Sequence, residues 1–248
     1  MSEGRLGGDQ VEGRRAVAEL LQAGRRRVRA VYVSSGVERD PLVAEIIEAA
    51  GRALRIVTPE KVEHIARSET HQGVVAQCAP LRPAELDDLA AAEDAFLVVL
   101  DGVTDPRNLG AIIRTADTAG ATGVVVGRHR SAHVSPAVTK AAAGAIEHVP
   151  IAVVGGIPAA LDRLRRAGCW TVGLDERART SVHELDLAGE RLALVLGAEG
   201  RGLARLTRER CDVLVRIPVH GHVPSLNVSA AAAVVLHEVA RRRHPGDG

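Results

Sequence analysis

The chain has 248 residues, 46% of them hydrophobic and 25% charged, and its 32 basic and 31 acidic side chains leave a net charge of +1. That suits one large or two modest globular domains and excludes binding to a polyanion through bulk charge alone. Tyr32, Phe96 and Trp170 are single examples of their kinds, so the core must be Val, Leu, Ile and Ala, and RNA or DNA cannot be gripped by stacking platforms.

Lys61 and Lys140 are the only lysines; every other basic residue is arginine. A uniform bias of that kind follows genome base composition, but three local clusters survive it: GRRRVR (24–29), GRHR (127–130) and RRRH (241–244). Cys78, Cys169 and Cys211 are far apart and odd in number, with neither metal-ligand spacing nor a disulfide framework, so no metal site is expected. The chain shows no apolar run of about 18 residues and no signal-peptide pattern. The expectation is a cytoplasmic protein with no membrane association.

In chain order, the strand-like run VRAVYV (28–33) precedes a helical pattern over 40–52, then LRIV, PEKVEHIAR and GVVAQC (73–78). This reads as a small α/β unit, residues 1–78. The stretch 79–94, with two prolines and an acidic, alanine-rich run, reads as a linker that includes a short helix. A second unit, 95–248, opens on AFLVVLDG (95–102), a continuous apolar run as expected of a strand buried on both faces. Strand-like runs at 123–127, 169–174, 191–197 and 212–218 alternate with helical patterns at 136–146, 158–168 and 228–243. Alternation of this kind predicts a parallel sheet covered by helices, with ligands at the carboxyl ends of its strands.

Three segments of the second unit carry candidate chemistry. In DPRNLGAIIRTA (105–116), Leu109, Ile112, Ile113 and Ala116 share a helical face and Asn108 is suited to an N-cap. Arg114 lies at the edge of that apolar stripe, where it either pairs with Asp117 or is solvated unless it has a role in chemistry. The second segment, LVLGAEGRGL (194–203), runs a buried strand into a turn with Gly197, Gly200 and Gly202 around Glu199. Glycines there allow close backbone approach to a ligand, although GxxGxG this late in the chain is not a dinucleotide fingerprint. In the third segment, 216–238, a loop with His220 and His222 leads to SLNVS, where Ser225 and Asn227 can cap a helix that opens on the small residues Ala230 to Ala233. No GxSxG, Cys–His pairing or Walker A loop is present, so the polar set is Asn108, Arg114, Glu199, Ser225 and Asn227.

Taken together, LDGVTDPRNLGAIIRTADTAGA, LALVLGAEGRGLARLTRERCD and IPVHGHVPSLNVSAAAAVVLHE closely resemble, in order and spacing, the three motifs of the SpoU (TrmH-type) RNA ribose 2′-O-methyltransferases of the SPOUT class. VEGRRAVAELL (11–21) and THQGVVA (70–76) resemble the substrate-binding domain of the 23S ribosomal RNA guanosine 2′-O-methyltransferase subgroup, a domain similar to ribosomal L30e protein. The resemblance implies a deep trefoil knot in the C-terminal domain, a homodimer, and S-adenosylmethionine held by Gly197, Gly200, Ile217 and Leu226. It implies a catalytic set of Arg114, Asn108, Glu199, Ser225 and Asn227, acting on RNA: a guanosine of 23S rRNA or of a large-subunit precursor. Another rRNA or tRNA nucleotide, or a non-catalytic role in RNA binding or ribosome assembly, are the alternatives. Pro224 stands where the family often has a small polar residue. The chain lacks the basic N-terminal extension of some relatives, so residues 24–29 are expected to carry more of the RNA contact.

Overall fold

The computed structural model describes residues 6–129, 131–185, 191–223 and 225–246. In chain order its elements are β1 (Gln10–Glu12), α1 (Arg14–Ala23), β2 (Val28–Ser34), α2 (Pro41–Ala50), β3 (Leu54–Val57), α3 (Pro59–Ile65), β4 (Val74–Cys78) and α4 (Leu86–Ala91). There follow β5 (Phe96–Asp101), α5 (Pro106–Thr118), β6 (Gly123–Gly127), α6 (Pro136–Ala141), β7 (Ile151–Val154), α7 (Ile157–Arg166) and β8 (Trp170–Leu174). The chain closes with β9 (Thr180–Ser181), β10 (Leu192–Gly197), α8 (Arg205–Arg210), β11 (Val213–Arg216) and α9 (Val228–Arg243).

The chain divides into two compact units. The first contains the residues up to Arg82 together with His133–His148; the second contains Pro83–Ala132 and the chain from Val149 onward. The first unit is a four-stranded sheet of order β1-β4-β2-β3. Val17 and Leu20 of α1 and Val43 and Ile46 of α2 pack on Val31, Val33, Val74 and Ala76 of the sheet. Within this unit the segment 133–148 is seated by the buried pair Arg26–Glu147 and by a bond between His148 Nε2 and Glu19 of 3.1 Å. One helix is expected over 136–146. The structure ends α6 at Ala141, because Ala143 and Gly144 turn into the left-handed region at φ 49° and 96° before a short 3-10 turn at Ala145–Glu147.

The second unit is a parallel seven-stranded sheet of order β7-β6-β5-β10-β8-β11-β9, as the alternating pattern predicts. Leu97, Val99, Ala193 and Val195 are fully buried, and Leu161 and Leu164 of α7 cover one face with them. The stretch read as a linker forms α4, whose Leu86 and Ala90 enter this same core. β10 is inserted between β5 and β8, so β5 is flanked by β6 on one side and by the much later β10 on the other. The crevice of a parallel α/β sheet opens at such a reversal of strand order.

Candidate functional site

The loops after β5 and β10 flank this crevice. Pro106 has no N–H to donate and is preset for the first helical turn, so α5 begins there. Asp105, not the expected Asn108, is its cap, accepting from the Arg107 N–H at 2.7 Å. Asn108 is thereby moved into the first turn, buried at 8% exposure, with its amide free for other partners. After β10, Ala198 and Gly202 exchange two backbone hydrogen bonds of 3.1 and 2.8 Å and close a tight hairpin with Glu199 near its tip. A side chain at Gly197 would put its Cβ 2.1 Å from the Gly202 carbonyl carbon, so only glycine permits this closure. The hairpin exit is held by Asp101, which accepts from the Ala204 N–H at 2.8 Å. Asn227 caps α9 as expected, its Oδ1 accepting from the Ser229 N–H at 2.8 Å.

Three of the five residues expected to act in catalysis meet. Asn108 Nδ2 donates to Glu199 Oε2 at 3.2 Å, and Asn227 Nδ2 donates to Asn108 Oδ1 at 3.2 Å and to Glu199 Oε1 at 3.4 Å. Both carboxylate oxygens thus receive an amide N–H, and hydrogen bonds to a charged acceptor are stronger than neutral ones. The triangle fixes Glu199 while leaving lone pairs available.

Beside it lies a cleft of about 410 Å³ over the ends of β8, β10 and β11, within the range typical of small-molecule sites. All four residues expected to hold the cofactor (Gly197, Gly200, Ile217 and Leu226) line it, together with Glu199 and Ser225. The cleft also contains groups that the sequence reading missed: Asp175, one residue past β8, approaches Arg208 Nε at 2.6 Å, although neither atom makes a directed hydrogen bond. Their signal was Asp175's position at a strand's carboxyl end.

Arg114 stands apart from the triangle. Six residues beyond Asn108, it is about 9 Å further along the helix axis and a third of a turn off its face. It is exposed, and it makes no hydrogen bond or ion pair with any described residue, Asp117 included. Ser225 lines the cleft without joining the triangle, and His220 and His222 are exposed. Pro224 lies outside the described residues. Burial pushes the thiols of Cys78 and Cys211 up to about 11 and 12, far from a reactive thiolate.

Comparison with known proteins gives the family. Residues 95–237 match the SpoU rRNA methylase family, and residues 10–84 match the RNA 2′-O ribose methyltransferase substrate-binding domain. The chain belongs to the SpoU rRNA methylase family. It is 41% identical over 241 residues to the 23S rRNA (guanosine-2′-O-)-methyltransferase RlmB of Pseudomonas putida, covering 95% of this chain and 97% of that protein. The RlmB of Bordetella pertussis is 42% identical over 243 residues, covering 93% of this chain and 96% of its own. Among solved structures, the SpoU methyltransferase AviRb of Streptomyces viridochromogenes in complex with AdoMet has a TM-score of 0.80 at 27% identity, covering 94% of this chain and 89% of its own.

Proposed function

We propose that this chain transfers a methyl group from S-adenosylmethionine to the ribose 2′-OH of a guanosine in 23S ribosomal RNA, working as a cytoplasmic homodimer. The observation that carries this reading is the Asn108–Glu199–Asn227 triangle at the rim of the cleft over the ends of β8, β10 and β11. The target follows the Pseudomonas and Bordetella relatives, whose similarity spans nearly the whole chain.

The cleft fits the cofactor. Its size suits a nucleoside with a short polar tail, its wall includes the side-chain-free backbone of Gly197 and Gly200, and Ile217 and Leu226 supply apolar cover. When bound there, S-adenosylmethionine supplies an electrophilic methyl carbon on a sulfonium. The chain's residues orient the other reactant. The triangle presents acceptors to a ribose hydroxyl beside the cleft, and holding two reacting atoms close and aligned is worth several orders of magnitude in rate. Arg114 keeps its proton at any physiological pH, so it acts through charge, on the neighbouring phosphate and on the negative charge that develops on the 2′-oxygen. In this reading residues 198–204, 217–223 and 225–227 belong to loops of the deep trefoil knot. The exposed apolar Val219, Val223, Leu226 and Val234 belong to the face that the second subunit covers.

The test is methyl transfer from labelled S-adenosylmethionine to unmodified 23S RNA, followed by digestion and nucleoside identification. 2′-O-methylguanosine is the expected product. A chain that binds the cofactor but methylates neither 23S RNA nor large-subunit precursors overturns the proposal.

A further inference from the structure

The three arginine clusters have different fates in the structure. In the first, Arg26 is buried against Glu147 and donates to the carbonyls of Gly8 and Ala79, and Arg25 donates to the carbonyl of His148, while Arg27 and Arg29 are exposed with no side-chain hydrogen bond or ion pair to a described residue. In the third, Arg241 and Arg242 hold Glu238, and Arg243 lies over the Phe96 ring at 4.9 Å. In the cluster after β6, none of the described side chains is held internally. Arg128 and His129 are exposed, and their side chains bond to no described residue; Arg130 lies outside the described residues.

The backbone that carries them is held firmly. The Arg128 N–H donates to the Val154 carbonyl at 2.7 Å, and the Ala132 N–H donates to the Val103 carbonyl at 2.9 Å. The loop is thus pinned at both ends, and its second anchor lies in the loop that leads into α5. Leu100 pairs with Val126, so the ends of β5 and β6 are adjacent at the carboxyl edge of the sheet. Arg107, in the first turn of α5, is also exposed and has no side-chain partner among the described residues. Seven residues separate it from Arg114, so the two share one face, about 10.5 Å apart along the axis. Of the nearby carboxylates, Asp105 caps α5 and Asp101 accepts from the Ala204 N–H.

The sheet order then sets a sequence of features along this edge: the cleft at β8, β10 and β11, the triangle at β5 and β10, and, after β5 and β6, the arginines that bond to no described residue. We infer that Arg107, Arg128 and His129 form a phosphate-binding ledge on which the RNA strand beside the target nucleotide lies, so that its backbone enters from the β6 side. The inference rests on the proposed function for the identity of the ligand, and it adds the direction of approach and three contact residues. Exposed guanidiniums carried on an anchored backbone, with no bond to a described residue, suit bidentate contact to phosphate oxygens.

The experiment measures equilibrium binding of the full chain to unmodified 23S RNA across a range of salt concentrations, by filter retention. Each lost phosphate contact lowers the slope of log affinity against log salt by about 0.7 to 0.9. Arg107→Gln with Arg128→Gln is expected to lower the slope by about 1.5 and to weaken binding roughly uniformly across RNA sequences. Cofactor affinity and melting temperature stay at wild-type values, because neither side chain lines the cleft or makes a hydrogen bond or ion pair with a described residue. Arg166→Gln, at the last turn of α7 on the opposite edge of the sheet, removes an exposed charge of the same sign that has no partner among the described residues, and is expected to leave the slope unchanged. An unchanged slope in the double variant overturns the ledge, and so does an equal per-charge loss in Arg166→Gln, which would mean bulk charge alone. Binding is read without catalysis, so a wild-type chain that transfers no methyl group defeats the proposed reaction without deciding the fate of the ledge.

Discussion

Asn108 and Glu199 are 91 residues apart in the chain, yet their side chains meet at 3.2 Å, the amide of one donating to the carboxylate of the other. Three local choices bring them together. Pro106 starts α5 early enough to place Asn108 in its first turn, Gly197 allows the hairpin after β10 to close, and the insertion of β10 beside β5 juxtaposes the two loops. Asn227 completes the arrangement from the start of α9.

Asn227 has two separable tasks. Its Oδ1 caps α9 and its Nδ2 donates to Asn108 and Glu199. Asn227→Ala loses both, and loss of a cap costs about 1 kcal/mol. Asn227→Asp keeps the cap but replaces the donor with a second carboxylate beside Glu199. The expected outcome is near-wild-type thermal stability for the Asp variant, with at least a tenfold loss of kcat in both. An Asp variant with full kcat would remove the triangle from the mechanism.

Arg114 is exposed and has no hydrogen-bond or ion-pair partner among the described residues, so its truncation costs the fold little. Arg114→Ala is expected to melt within a degree or two of wild type, to bind S-adenosylmethionine normally, and to lose 10²-fold or more in methyl transfer, in the range of other electrostatic contacts to developing charge. Arg114→Lys keeps the charge without the planar fork and should recover only part of the loss. Single-turnover transfer to 23S RNA measures it, and wild-type rates in the Ala variant would refute the assigned role.

Local pattern made part of this legible. The continuous apolar runs at β5 and β10 announced strands buried on both faces, and their alternation with helical stretches announced the parallel sheet. The start of α5 was readable from Pro106, but Asn108 was mistaken for the cap because both it and Asp105 have capping side chains, and only the helix start decides between them. The triangle was legible only through the family motifs, since contacts across 91 and 119 residues leave no periodic trace. For the same reason, nothing local showed that segment 133–148 groups with the first unit: its anchor, Glu147, meets an arginine 121 residues away. The composition of the three arginine clusters was plain, but which of them would be neutralised internally depended on partners that only folding supplies.

Glu238 on α9 carries a pH dependence. Hydrogen bonds from Arg241, the larger influence, and from Arg242 hold its carboxyl down at about 2 against the opposing effect of burial. The folded state therefore binds this proton less readily than the unfolded chain, whose carboxyl has an ordinary pKa near 4.5. The contribution to stability is fully present above about pH 4.5 and is lost as pH falls toward 2. Arg241 is 68% exposed, so solvent screening reduces the contribution to about 1 kcal/mol. Glu238→Gln should be less stable than wild type by that amount at pH 7 and should converge with it near pH 2.5. Urea midpoints across this range measure the effect, and a gap independent of pH would contradict it.

The buried pair in the first unit gives the largest predicted stability effect. The side chains of Arg26 and Glu147 are 6% and 1% exposed; Arg26 Nε donates to Glu147 Oε2 at 2.8 Å, and Arg26 Nη1 donates to the carbonyls of Gly8 and Ala79 at 2.6 and 3.1 Å. Glu147→Gln leaves a guanidinium buried without its counter-charge, which costs about 3 to 5 kcal/mol. Arg26→Met leaves the carboxylate stranded and should cost about as much. Replacing both together, Arg26→Met with Glu147→Leu, removes the uncompensated charge, but it still strands two carbonyls that lose their donor, at about 1 kcal/mol or more each. The double variant should therefore recover about half of either single loss, a coupling that denaturant unfolding of the three variants measures directly. If the single losses are each below 1 kcal/mol, or simply add in the double variant, the pair does not hold segment 133–148 in the first unit.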